Sequence, residues 1–218
     1  MPETSPHTQP ASRTGPGCHV VCLTGFMGSG KSTVGRLLAA QLAWRFVDLD
    51  EEIERHAGLP ISQIFEQRGE PVFREIEHSC LARALGWARE SDAHVILALG
   101  GGTFAQARNR VFLRDISTLP SPAAAPRLPN RMAIVWLHCS MEDLLRRCVL
   151  MGNRPMFRDE AGFRKLYQER LPYYEQADFR VDGSGEPAQV VERILALGIF
   201  DRPARVLSSA STQETPSP

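Results

Sequence analysis

Apolar positions along this chain alternate between two spacings, and the alternation predicts strands separated by helices. Residues 19–24 form a short apolar run that closes on a glycine-rich turn. Behind it, 31–42 sets Val34, Leu37, Leu38 and Leu42 at helical spacing. Residues 45–48 read as a second short strand ending in acids. Residues 51–68 read as two short helices broken at Gly58-Leu59-Pro60, and 72–89 as a longer helix with Phe73, Ile76, Cys80 and Leu81 along one stripe. The run 94–99 is apolar beyond its first residue, as expected of a strand covered on both faces, and it stops at Gly100-Gly101-Gly102. A helix is expected over 105–114. Residues 117–130 hold four prolines without periodicity and read as a surface insertion. A strand at 133–138, a helix at 141–150 and a polar loop at 152–160 follow. Residues 163–176 read as a helix that Pro172 should kink or end, then 179–181 as a last strand and 188–197 as a closing helix. The pattern predicts an α/β domain over 18–200, three layers deep, with a central parallel sheet and helices on both faces. Its flanks, 1–17 and 201–218, are rich in Pro, Ser and Thr and read as a disordered leader and tail.

Composition narrows the partners. The 218 residues, 43% of them hydrophobic, suit one substantial core. Lys plus Arg and Asp plus Glu number 25 each, so no global field draws the chain to nucleic acid or to an anionic membrane. Cys18, Cys22, Cys80, Cys139 and Cys148 form no CxxC pair and read as reduced, packed thiols. The six histidines lack zinc-ligand spacing, and His19, His94 and His138 read as packing or edge residues. No apolar stretch approaches the ~20 residues that span a bilayer. The leader lacks the apolar segment of a secretory signal, so the expected location is the cytoplasm.

The first chemistry lies at Gly25-Phe26-Met27-Gly28-Ser29-Gly30-Lys31-Ser32, a GxxxxGK[ST] phosphate loop set between a predicted strand and a predicted helix. Glycines let the backbone curl so that successive N–H groups face phosphate oxygens, and the helix start adds its positive dipole end. Gly28, Ser29, Gly30, Lys31, Ser32 and Thr33 are the expected nucleotide-binding residues. Lys31 neutralises charge on the β- and γ-phosphates in such a loop, and Ser32 ligates magnesium. A guanine-selecting Asn-Lys-x-Asp segment is missing, which argues against a GTPase switch. The strand at 94–99 ends in glycines where a motor or transporter ATPase carries an acid. Small-molecule kinases remain, with an acceptor pocket and a closing lid.

Asp48 and Asp50 follow the second strand and should lie at the carboxyl edge of the sheet, where ligands of open α/β folds bind. In extended backbone the two would point the same way, one toward magnesium and one toward an acceptor hydroxyl. Spacing alone equally allows Asp50 to cap a helix starting at Glu51. Arg74 and Glu77 share a helix face, where the acid can orient the guanidinium for bidentate capture of a carboxylate; a solvated surface pair has the same spacing. The glycines at 100–102 let a rigid substrate approach the backbone.

In order and approximate spacing, Gly25 to Ser32, Asp48-Leu49-Asp50, Phe73-Arg74 to Glu77, Leu99 to Gly102, Arg154-Pro155 and Arg170-Leu171-Pro172-Tyr173-Tyr174 resemble shikimate kinases over about 20–197. The resemblance implies the P-loop NTPase fold with a mobile lid at 152–161, and transfer of phosphate from ATP to the 3-hydroxyl of shikimate with Mg2+ present. It also implies roles. Lys31, Asp50 and Arg154 would be catalytic, with Arg154 carried in by the lid. Asp50, Arg74, Gly101, Gly102 and Arg170 would bind the acceptor, Glu77 would brace Arg74, and Arg147 would stack on the adenine. Ser32 and Asp48 would serve magnesium. A monomer is implied, binding only ATP and the small acceptor. This chain departs from the family pattern in reading Arg154-Pro155-Met156-Phe157 at the lid, in lacking a basic residue at 182–187, and in carrying the Pro-rich segment at 117–131. The rival readings are a kinase for another hydroxy or sugar acid, such as gluconate, and a nucleotide-binding module without catalysis.

Overall fold

In the computed structural model the described residues are 18–91, 93–118, 132–150 and 160–200. Five parallel strands form one sheet: β1 (Val20–Thr24), β2 (Arg45–Asp48), β3 (Val95–Ala98), β4 (Met132–His138) and β5 (Phe179–Asp182), in the order β2-β3-β1-β4-β5. The central strand β1 pairs Cys22 with Leu97 on one side and with Ile134 on the other. Parallel neighbours cannot be joined by tight turns, so each crossover carries helices back over a face of the sheet. These are α1 (Lys31–Leu42), α2 (Leu49–Ala57), α3 (Ile61–Glu90), α4 (Ala107–Thr118), α5 (Met141–Leu150) and α6 (Glu160–Tyr174), and α7 (Pro187–Leu195) follows the last strand.

The pleat divides the core in two. Val21 and Leu23 of β1 join Val34 and Leu38 of α1 and Val190 and Ile194 of α7. Cys22 points the other way, into a larger cluster with Leu49 and Ile53 of α2, Phe73 and Leu81 of α3, Leu113 of α4, Leu144 of α5 and Phe163 of α6. Each such aliphatic or aromatic side chain contributes about 1.5–3 kcal/mol on full burial. The result is the three-layer α/β/α arrangement of P-loop NTPases, with β1 between the two directions in which the chain is wound. All five cysteines are free, as expected. Among the described residues no helix is long and apolar enough to cross a membrane.

Several expected boundaries move. Leu37, assigned to the apolar stripe of α1, is 45% exposed, because the buried stripe runs through Val34, Gly35, Leu38 and Ala39. The predicted break at 58–60 is present, with Gly58 in the left-handed region ending α2. The helices expected on either side of 69–71 meet at Gly69, whose φ of 76° and ψ of 170° interrupt α3. The helix expected over 105–114 starts later: Thr103–Ala105 forms a 3-10 turn first, and α4 runs on to Thr118, into the predicted insertion. Helix α6 begins at Glu160, inside the predicted lid, and ends two residues past Pro172. The leader, the tail, the rest of the insertion and most of the lid lie outside the described residues.

Candidate active site

The phosphate loop leaves β1 and enters α1 at Gly30, whose φ of 89° is open to glycine and strained for other residues. No side chain caps α1 and no acid stands in its first turn, so the helix start keeps its positive end for an anion. Lys31 is buried and donates to Gly25 O at 2.9 Å and Phe26 O at 3.0 Å, which folds its ammonium over the loop. The Ser32 and Thr33 side chains are exposed.

The loop is braced from behind. Cys148 Sγ lies 3.8 Å from Met27 O and Cys139 Sγ 3.8 Å from Ser29 O. Burial pushes the Cys139 thiol up, against the pull of Arg147, so it stays protonated and can donate. Arg147 reaches Gly28 O at 3.5 Å and donates to Gly183 O at 3.1 Å. Its guanidinium therefore joins the loop to the segment after β5, the side where the resemblance sets the base.

On the acceptor side, Asp48 ends β2 and caps α2, its Oδ1 accepting from the Asp50 N–H at 3.0 Å. The expectation that Asp48 and Asp50 alternate along extended backbone is corrected, because the chain turns helical at Leu49. The alternative of Asp50 as a cap is excluded as well, since Asp48 holds that position. Asp50 instead faces the glycine turn after β3: a Cβ built on Gly100 would lie 2.6 Å from Asp50 Oδ1 and 2.9 Å from Thr103 Oγ1. Gly101 approaches the phosphate loop, a Cβ there falling 3.3 Å from Met27 N. The glycine turn and the phosphate loop thus meet at the ends of the paired strands β1 and β3.

Arg74 and Arg170 converge on the same turn. A Cβ on Gly102 would stand 3.1 Å from Arg74 Nη1 and 3.2 Å from Arg170 Nη2. Arg170 is 8% exposed, donates to Gly101 O at 3.0 Å and lies over the Phe26 ring. Phe26 is held edge-on by Phe163 and Tyr167 of α6. The Arg74–Glu77 pair is no solvated surface contact: the two groups are 3.0 Å apart, with side chains 17% and 1% exposed. Glu70, mostly exposed, also accepts from Arg74, at 2.9 Å. Two guanidinium groups fixed beside one glycine set planar N–H forks of the kind that suits a carboxylate, with Glu77 and Glu70 holding that of Arg74 in place.

Of the residues expected at the site, the structure gathers Asp50, Arg74, Gly101, Gly102 and Arg170 at one glycine turn, with Glu77 behind Arg74, and sets that turn against the phosphate loop that carries Lys31. Arg154 lies outside the described residues. Two contributors went unassigned. Tyr174, one turn beyond Arg170 on α6, donates its hydroxyl to Gly101 O, and Thr103 donates to Glu77 Oε1 at 2.7 Å. The first carried a signal in its i,i+4 spacing from Arg170. The second carried none, because its partner is on another element. Among the described residues no cluster of three or more His, Cys, Asp or Glu forms a metal centre.

Comparison with known proteins identifies the family. A family model described as shikimate kinase matches residues 27–197. The shikimate kinase of Persephonella marina is 35% identical over 177 residues, covering 80% of this chain and 96% of that protein. That of Moorella thermoacetica is 38% identical over 175 residues, covering 79% and 90%. Among solved structures, a shikimate kinase from Acinetobacter baumannii in complex with shikimate aligns with a TM-score of 0.68 at 34% identity, over 82% of this chain and 91% of that one.

Proposed function

We propose that this chain, which belongs to the shikimate kinase family, transfers the γ-phosphoryl group of ATP to the 3-hydroxyl of shikimate. The observation that carries the reading is the meeting of Arg74 and Arg170 at Gly102, beside a turn that abuts the phosphate loop at Met27. A carboxylated ring gripped there presents its hydroxyls toward Asp50 and the loop. The family is one of kinases, so ATP is the co-substrate.

Phosphoryl transfer asks the protein for positioning and charge neutralisation more than for covalent chemistry. Backbone N–H groups of Gly28 to Thr33 and the Lys31 ammonium would hold the β- and γ-phosphates. Asp50 would hold the 3-hydroxyl and receive its proton as that oxygen bonds to phosphorus and the bond to ADP breaks. Arg74 and Arg170 would fix the acceptor carboxylate, with Glu77 bracing Arg74. Arg154, carried by the lid, would offset charge on the transferring group, and Arg147 would stand against the adenine. The hydroxyl of Ser32 and the carboxylate of Asp48 are hard oxygen donors of the kind Mg2+ prefers, and they are the residues that would hold it. The ion supplies positive charge to the phosphate oxygens when bound. We assign residues 18–200 to one kinase domain with its lid at 152–161, working as a cytoplasmic monomer.

A coupled ADP-release assay tests the acceptor. Shikimate should support turnover well above buffer, and gluconate should not. Turnover with gluconate alone would shift the reading to another acid, and no turnover with any acceptor would leave only a nucleotide-binding module. In the same assay Asp50→Asn should lower kcat by roughly 10²–10⁴-fold, the range for a positioned general base. An unchanged rate would remove Asp50 from the chemistry.

A further inference from the structure

The Arg74 grip has a support behind it that the motif residues do not include. Glu77 is a buried carboxylate with both oxygens engaged: Oε2 accepts from Arg74 Nη1 at 3.0 Å and Oε1 from Thr103 Oγ1 at 2.7 Å. Thr103 is wholly buried, so its hydroxyl meets Glu77 and no bulk water. The hydroxyl is itself placed by the 3-10 turn, where Thr103 N donates to Gly100 O at 3.1 Å. Asn109, buried on α4, donates to Thr103 O at 3.1 Å, and its Oδ1 lies 2.8 Å from His78 Nδ1. A carboxylate held at one oxygen can rotate about its last torsion; held at both, it cannot. The plane of Glu77 sets where the Arg74 fork points, and the exposed Glu70 on the far side offers that fork a competing partner.

We propose that Thr103 is a positioning residue for acceptor binding: its hydroxyl locks Glu77, which aims Arg74 at the acceptor carboxylate. The inference rests on the shikimate reading above and goes past it, since Thr103 is buried behind the pocket and acts only through Glu77. Without the hydroxyl, Glu77 Oε1 loses its buried donor, the carboxylate turns, and Arg74 is left to Glu70, which it already holds through Nε and Nη2. The carboxylate lies away from the transferring phosphoryl group, so the loss falls on binding and spares the chemical step.

The test is Thr103→Val, which keeps the shape and removes the hydroxyl, assayed beside Thr103→Ser, Arg74→Ala and the double variant Arg74→Ala/Thr103→Val. The expected result is a shikimate KM about 10-fold higher for Thr103→Val, with kcat within ~2-fold and the KM for ATP unchanged, and recovery toward wild type in Thr103→Ser. On the Arg74→Ala background the valine should add no further rise, because the residue it acts through is gone. Wild-type turnover combined with an unchanged KM in Thr103→Val overturns the inference and leaves the acceptor reading standing. So does a rise that persists in the double variant, or an equal fall in every parameter without rescue by serine. If the valine fails to fold, Thr103→Ala carries the same comparison. Absence of shikimate-dependent turnover in the wild type overturns the acceptor reading, and the inference with it.

Discussion

Tyr174 shows how one buried group joins stability to the site. Its hydroxyl donates to Gly101 O and its ring stacks on Trp136, so the glycine turn after β3 is tied to α6 and to β4 together. Burial pushes the phenol up to about 12, with the positive Arg170 opposing the shift. In the unfolded chain the same phenol titrates near 10. Between those values the unfolded chain gives up its proton while the folded chain keeps it, so stability falls as pH rises through that window and is fully present below it. Thermal melting of wild type against Tyr174→Phe should show this. The wild-type midpoint should drop more steeply between about pH 10 and pH 12, while the other alkaline groups, common to both proteins, cancel in the difference. At neutral pH the phenylalanine should cost about 0.5–1.5 kcal/mol for the lost hydrogen bond. Equal alkaline slopes would mean that the hydroxyl is solvated in the folded protein.

At the level of elements, the turn from β3 into the 3-10 segment does the most for the site. It touches the phosphate loop through Gly101, Asp50 through Gly100, and both Arg74 and Arg170 through Gly102. Gly102 has a φ of −109°, which any residue adopts, so its requirement is for space and not for backbone freedom. Gly102→Ala should therefore fold with a melting midpoint close to wild type. Its methyl group, pressed within about 3.2 Å of guanidinium nitrogens, should displace the two side chains. Steady-state kinetics should show a shikimate KM raised about 10-fold at constant KM for ATP. A large loss of stability with normal KM would mean instead that the turn matters to the fold alone. Gly30→Ala at the other element junction should behave oppositely, since a positive φ penalises the backbone itself and disturbs the phosphate amides.

Taken as a whole molecule, the fold sets the phosphate loop and the glycine turn at the carboxyl ends of the adjacent strands β1 and β3, the edge at which open α/β sheets bind ligands. On the proposed function ADP and shikimate need the folded site, so each should stabilise the folded chain by mass action. ADP at 100 times its Kd adds ~2.7 kcal/mol, which for a chain of this size is a rise of roughly 5–10 °C in the melting midpoint. Shikimate should raise it further. The shikimate increment should vanish in Arg74→Ala and in an alanine variant at Arg170 while the ADP increment persists, as measured by differential scanning calorimetry. Loss of both increments together would mean that the arginines hold the fold rather than the acceptor.

What could be read from the chain without coordinates was whatever local backbone chemistry decides. The phosphate loop is contiguous, and its glycines and lysine specify curl and charge within eight neighbouring residues. The strands 20–24 and 95–98 lie within short apolar runs and were legible for the same reason. Boundaries moved where a side chain competes with the periodicity, as when Asp48 caps α2 two residues earlier than the pattern suggested. The contacts of Thr103 with Glu77, of Tyr174 with Gly101, and of two arginines with one glycine are different in kind. Each joins residues distant in sequence, and only burial in a shared core brings their polar groups within bonding distance and makes that distance matter. Periodicity reports which face a residue occupies; the packing of one element on another decides what it meets there.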